Sequence, residues 1–444
     1  MGTVCMEVDT LIKNALILTM NKNNDDILNG FIGIKGDSIV YAGQIDPKVK
    51  YKTSINARGN IVMPGLIHAH THSPMSIYRG LADDIALFDW LNNHIWPVEK
   101  KFVTEENIGL ASELSIAEMI KSGTTTFNDM YFYSNITGKK AKEIGMRAVL
   151  GEAIIDIPKS VYKISEHYWI NTAEKADNNG LIRTSIVPHS PYSCSEEILK
   201  NIKAVSKKHK VLIHTHISET KNEVEQIKNK FGMTPVEYLD SLNFLDKNTI
   251  AVHCVVLSDK DIEILSKRNV KIVHCPQSNL KLASGIARIK DMKKAGLTIA
   301  LGTDGPASNN SLDMFAEMKI AAILHKGINN DPTAMSAKEV VKMATVNGAV
   351  SLGLENITGS IEVGKKADLI IVDTNSLHLT PMYDPYSHLV YSAIGSDVDT
   401  VIINGKILLR NKKLLSINEE ELKRKVNLLS KDINKFKISM EAQK

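Results

Sequence analysis

Between Ile61 and Gly305, short apolar runs alternate with amphipathic stretches. The runs are IVMPGLIHA, TTTFNDM, RAVLGEAII, IRTSIVPHS, KVLIHTHIS, TIAVHCVVL, VKIVHCP and LTIALGTDG. Between them lie segments such as ENIGLASELSIAEMIKSG, SEEILKNIKAVSKKH, SDKDIEILSKRN and IARIKDMKKAG. Strands of this length, apolar on both faces and separated by helices, build parallel sheets, because each crossover returns the chain to the same end of the sheet. Eight such units close on themselves, so the pattern predicts an α/β fold of the (β/α)8 TIM-like barrel type. Several helical segments open on a Ser or Asp cap and end on Gly or Asn, so local and global signals agree.

The flanks differ. Residues 10–55 read as short strands, TLIKNALILTM and FIGIKGDSIVYAG, broken by the polar NKNNDD turn and by Gly36-Asp37. After the barrel, GSIEVGKKADLIIVD and DTVIINGKILLRNKK return to strands. The two chain ends are therefore expected to form one small β-sandwich into which the barrel is inserted. The expected division is 1–58 for the N-terminal part of the sandwich, 59–365 for the barrel and 366–444 for the C-terminal part with a terminal helix. That helix, NEEELKRKVNLLSKDINKFKISMEAQK, has the charge density of a solvated one.

With 444 residues, 43% hydrophobic and 23% charged, the chain has the composition of a folded globular protein. Its net charge is only +4, and its lysines form no basic stripe with interleaved aromatics, which argues against nucleic acid and for a free small molecule as partner. Cys5, Cys194, Cys254 and Cys275 lie far apart without CxxC spacing, against both a disulfide framework and a cysteine zinc site. No basic leader with an apolar stretch and no membrane-length run is present, and Met6 stands where a myristoylation signal has Ser or Thr. A soluble, cytoplasmic chain is expected. A closed homo-oligomer is compatible with the sequence, which marks no interface.

Chemical groups gather at the ends of the predicted strands, where a barrel carries its active site. On strand 1, HAHTH places His68, His70 and His72 on one face of an extended strand, and two adjacent members of that row can chelate one metal ion. Strand 5 supplies His214, His216 and, three residues on, Glu219. Strand 6 supplies His253, and strand 8 ends at Asp304. Imidazoles with a carboxylate suit a divalent ion, zinc above all, that keeps one position open for water. A lone histidine of this kind is more often structural; an HxH pair followed by rim residues on three later strands is not.

These blocks resemble the amidohydrolase superfamily over nearly the whole chain. PGLIHAHTHSPMSIYRG, LFDWL with IWPVE, GTTTFNDMY, PHSPYSCSEE, HISETKNE, HCPQSNLKLASGIARI and LGTDGPASNNSLDMF are similar to the branch containing 5-methylthioadenosine/S-adenosylhomocysteine deaminases. The resemblance implies His70, His72, His216 and Asp304 as ligands of one metal ion per subunit, zinc by expectation, with His68 and His214 beside the site. The register His68 with His70 is the alternative. Binuclear members carry a strand 4 Lys, where this chain has His189, so one metal is implied. The H-x-E and P-C-x-x-C pattern of cytidine-type deaminases is absent.

The resemblance also implies roles. A metal-activated hydroxide attacks C6 of an adenine ring, Glu219 protonates N1, His253 steadies the attacking oxygen and Asp304 moves the water proton to the departing amino group. Glu99 of IWPVE binds ribose hydroxyls, His189 contacts the base and Trp90 walls the pocket. Where the family has an Arg in a segment like GMRALLTRG, this chain has Glu152 in GMRAVLGEA. A carboxylate there would oppose the amino-acid carboxylate of S-adenosylhomocysteine by about 1 to 4 kcal/mol. Neutral C5′ groups, as in 5′-methylthioadenosine, 5′-deoxyadenosine or adenosine, are then favoured. Two rival readings share the barrel: a deaminase or dechlorinase of guanine, a pterin or an s-triazine, and a non-enzymatic scaffold, which the complete set of ligands disfavours.

Overall fold

The computed structural model describes residues 7–23, 25–156 and 180–442. At its centre are eight parallel strands: β1 (Leu66–Thr71), β2 (Thr124–Tyr131), β3 (Arg147–Ile154), β4 (Ile182–Pro188), β5 (Leu212–Ile217), β6 (Thr249–His253), β7 (Lys271–His274) and β8 (Ile299–Leu301). Each pairs with the next in chain order, as the alternation predicts. Ile67, Ala69, Val149, Ile250, Val252, Val273 and Ala300 fill the barrel interior, while Phe127, Leu150, Ile186, Ile213 and Ile272 face the surrounding helices. Burial on both faces is why these strands read as apolar runs.

β8 meets β1 at a tight seam. The Asp304 N–H donates to His70 O at 3.3 Å, and a Cβ on Gly302 would fall 2.6 Å from that same oxygen. Only a glycine lets the two backbones come this close, so a residue without a side chain brings Asp304 to the strand that carries His70.

The chain ends build one nine-stranded sheet. Its hydrophobic interior draws Ile12, Ile32, Ile34 and Val62 from one end and Leu369, Ile371 and Ile402 from the other, so the sheet folds over a shared core. The expected strand 1 is in fact two elements. Ile61–Pro64 pairs with Glu7–Ile17 and Leu369–Val372 in the end sheet, and the barrel begins only at Leu66. Pro64 has no N–H with which to continue a ladder, and at Gly65 a Cβ would lie 2.0 Å from Thr125 Cγ2.

The terminal helix, Glu419–Glu441, is not merely solvated. Leu422, Val426, Leu429, Ile433, Phe436 and Met440 recur every three or four residues and pack inward. Ile433 is buried, the Phe436 ring lies 5.7 Å from that of Phe102, and Lys437 Nζ donates to Leu81 O at 2.6 Å. Among the described residues no helix is long and apolar enough to cross a membrane, and Cys194, Cys254 and Cys275 are free and buried; Cys5 lies outside them.

Candidate active site

His70 and His72 project from β1 and its immediate end toward one oxygen of Asp304. Both Nε2 atoms stand 3.2 Å from Asp304 Oδ1, and His216 Nε2 is 3.3 Å from His70 Nε2. His72 Nδ1 donates to Met130 O at 2.5 Å, and His216 Nδ1 donates to His189 O at 2.8 Å. In the neutral rings these bonds hold the hydrogen on Nδ1, leaving the Nε2 lone pairs to converge on a carboxylate oxygen. Acceptors gathered in this way need a cation among them. Ligands about 2.0–2.2 Å from one tetrahedral ion stand about 3.4 Å apart, which this spacing matches. The donor set therefore fits a divalent metal ion.

The electrostatics favour positive charge at this point, and a proton on His72 competes with an ion for it. Burial opposes charge on His72, yet Asp304 lifts its imidazole to about 9, and despite burial His70 and His72 hold Asp304 well below the usual carboxylate range. Such a site attracts positive charge. The other Asp304 oxygen, Oδ2, accepts from Ser278 Oγ at 2.5 Å and Ser308 Oγ at 2.9 Å. Behind His70, His214 Nε2 lies 2.8 Å from His70 Nδ1, and Asn128 Nδ2 is 3.2 Å from His214 Nδ1, which fixes the ring. His68 is buried lower on β1, with its Nδ1 3.4 Å from Thr303 Oγ1. A register shift against β2 between His68 and Thr71 breaks the alternation expected of HAHTH, so the shared face of His68, His70 and His72 does not hold through the strand.

Ligand-capable atoms of His70, His216, His253 and Asp304 lie within 4.8 Å of one another. His253 differs from the other rings. Its centroid is 5.9 Å from that of His70, against 4.7 and 5.0 Å for His72 and His216, and its Nε2 is 3.9 Å from Glu219 Oε2. Asn279 Oδ1 accepts from its Nδ1 at 2.8 Å. The β5–β6 register sets His216 beside Val252 and Ile217 beside His253, so both histidines reach the same level. Ser218, His253, Cys254 and Asp304 all have φ between +47° and +69°, a left-handed backbone that non-glycine residues seldom adopt. Strain of this kind gathers where side chains must be aimed against local preference.

A cavity opens over these groups. His72, Glu99, Trp90, His189, His216, Glu219, His253 and Asp304 line it, with Leu87, Leu91, Ile95, Ile155 and Leu282 supplying hydrocarbon. Burial raises the Glu219 carboxyl above its ordinary range and pushes His189 down to about 3, so the His189 imidazole stays neutral. Burial also raises Glu99, against a hydrogen bond from Tyr131 Oη. Trp90 Nε1 donates to Ala82 O at 2.9 Å, which sets the indole in the wall.

Glu152 is the exception among the expected site residues. Side chains alternate along β3, and it is Ala153 that lines the cavity. The Glu152 carboxylate turns the other way and accepts from the backbone N–H groups of Tyr133 and Ser134 at 2.9 and 2.8 Å. The expectation that it faces a substrate carboxylate is corrected accordingly. Ser278, Asn279 and Ser308 carry no signal in the sequence beyond their place in the HCPQSNLKL and LGTDGPASNN blocks.

Comparison with known proteins follows the same line. A family model described as the amidohydrolase family matches residues 61–408. The 5-methylthioadenosine/S-adenosylhomocysteine deaminase of Thermoanaerobacter pseudethanolicus is 44% identical over 431 residues, which cover 96% of this chain and 99% of that protein. The 5′-deoxyadenosine deaminase of Methanosarcina acetivorans is 45% identical over 417 residues, 93% of this chain and 96% of that protein. The zinc-bound crystal structure of an adenosine deaminase from Xanthomonas campestris has a TM-score of 0.93 and 34% identity, over 97% of this chain and 100% of that one.

Proposed function

The chain belongs to the amidohydrolase family, and from that premise we propose that it hydrolyses the C6 amino group of adenine nucleosides, releasing ammonia and the inosine analogue. The observation that carries this reading is the Glu219 carboxyl, 3.9 Å from His253 Nε2, in the same cavity as three converging imidazoles and Asp304. His70, His72, His216 and Asp304 would hold the ion. Zinc suits three imidazoles with a carboxylate, and the Xanthomonas campestris structure has bound zinc. Bound there, the ion supplies the Lewis acidity that provides hydroxide at neutral pH.

Glu219 donates its proton to N1 as negative charge develops on the ring, which makes C6 a better electrophile. His253, steadied by Asn279, presents Nε2 to the attacking oxygen. Asp304, whose Oδ2 is held by two serine hydroxyls, accepts the water proton and passes it to the amino group that leaves as ammonia, while the proton left on the C6 oxygen restores the Glu219 carboxyl. Glu99 takes ribose hydroxyls and His189 the base, with Trp90 closing the wall.

The hydrocarbon lining from Leu87, Leu91, Ile95, Ile155 and Leu282 supports a preference for neutral C5′ groups, on different grounds from those first expected of Glu152. The test is ammonia release from 5′-deoxyadenosine, 5′-methylthioadenosine, adenosine and S-adenosylhomocysteine. We expect higher kcat/KM for the first three; a clear preference for S-adenosylhomocysteine overturns the lining argument, and activity on free bases alone overturns the nucleoside reading. Activity lost to a chelator and restored best by zinc identifies the ion.

A further inference from the structure

Glu219 leaves β5 from a strained corner, and a second carboxylate holds that corner from behind. Ser218, just before Glu219, has φ +53°. Glu223 Oε1 accepts the Ser218 N–H at 2.9 Å, and Oε2 accepts the Glu219 N–H at 2.7 Å. The Ser218 carbonyl accepts from Val255 and Val256 at 3.0 and 2.9 Å, just past His253, and Cys254 N–H donates to Ile217 O at 3.1 Å. The corner that aims Glu219 is thus tied to the turn that aims His253.

Glu223 is buried, with 1% of its surface exposed, and does not line the cavity. It occupies the third position of helix Lys221–Phe231, whose N-cap is Thr220. A glutamate at that position usually reaches back to the N-cap N–H. Glu223 bypasses it for the two preceding N–H groups, including that of Glu219 itself. From this geometry we infer that Glu223 is a positioning residue for the reaction: its carboxylate clamps the Ser218–Glu219 backbone so that the Glu219 carboxyl meets the ring nitrogen it protonates.

Removing the clamp leaves two buried N–H groups unpaired at a strained turn, and the turn relaxes to find partners. A displacement near 1 Å of a reacting group costs on the order of 100-fold in rate. The inference rests on the role given to Glu219, and a double-mutant cycle tests it. Glu223→Ala should lower kcat for 5′-deoxyadenosine by on the order of 100-fold with bound metal per chain unchanged. Glu223→Gln keeps one acceptor and should lose about tenfold.

In a Glu219→Gln background either change should cost less than about twofold, since there is no acid left to misplace. Equal losses in both backgrounds, or loss of metal in parallel with activity, overturn the inference. If Glu223→Ala fails to fold, the nearly isosteric Glu223→Gln carries the cycle. Amide exchange provides a readout without turnover: Glu223→Gln should speed exchange at Ser218 and Glu219 about tenfold, and unchanged exchange overturns the clamp. A wild-type chain inactive on every nucleoside, with fast exchange in Glu223→Gln, overturns the functional reading alone.

Discussion

Asp304 divides its two oxygens between tasks: Oδ2 is fixed by Ser278 and Ser308, and Oδ1 faces the Nε2 atoms of His70 and His72. Glu219 works the other way. Burial raises its carboxyl, so the protonated form that donates to N1 persists to higher pH than for an exposed glutamate. A general acid is active below its pKa, so kcat/KM should fall as pH rises through that of Glu219. Glu219→Gln should lower kcat by about 10²- to 10⁴-fold and abolish that limb of the pH profile. The same limb persisting in the variant would remove Glu219 from the role. Glu219 and His253 were legible as candidates in HISET and AVHCV, because their spacing from strand ends is a local property. The direction of Glu152 was not: it depends on where β3 ends relative to the cavity, and a shift of one residue reverses a side chain.

At the level of elements, the terminal helix has a task its charge concealed. It braces the segment that carries much of the cavity wall, Leu87 to Glu99, through Phe436 on Phe102 and Lys437 on Leu81 O. Lys101 Nζ adds a cation–π contact 4.1 Å from the Phe436 ring centroid. Replacing Phe436 and Lys437 together by Ala should raise KM for the nucleoside several-fold, about 3- to 10-fold, with a smaller change in kcat, since the loosened wall binds substrate but does not touch the reacting atoms. Steady-state kinetics on the double variant decides; a fall in kcat at constant KM would place the helix's influence elsewhere. The apolar stripe from Leu422 to Met440 was readable in the sequence, but what it packs against was not, because periodicity identifies a face and not its partner.

Across the whole molecule, a buried ion pair joins the barrel to the end sheet. Arg147 Nε at the start of β3 is 2.6 Å from Asp368 Oδ2, and the same guanidinium donates to Gly180 O at 2.8 Å and Asn404 Oδ1 at 3.3 Å. Arg147→Met leaves the buried Asp368 without its cation and should destabilise the fold by about 3–5 kcal/mol, measured by denaturant unfolding. If Arg147→Met with Asp368→Leu recovers most of that loss, the cost lies in the stranded carboxylate; no recovery would mean that the hydrogen bonds to Gly180 and Asn404 carry it.

The number of strands and their parallel order were set by the chain's own pattern, because apolar runs and caps are properties of neighbouring residues; HxH spacing marked a row of candidate ligands, and only the family resemblance chose among them. Tertiary structure decided the rest. It split IVMPGLIHA between two sheets, turned Glu152 out of the cavity and brought Ser278, Ser308, Asn279 and Glu223 behind the working groups. These outcomes depend on distances between residues far apart in the chain, such as Gly302 against His70 and Ser278 against Asp304. Local preference cannot encode such approaches, which exist only once the barrel has closed.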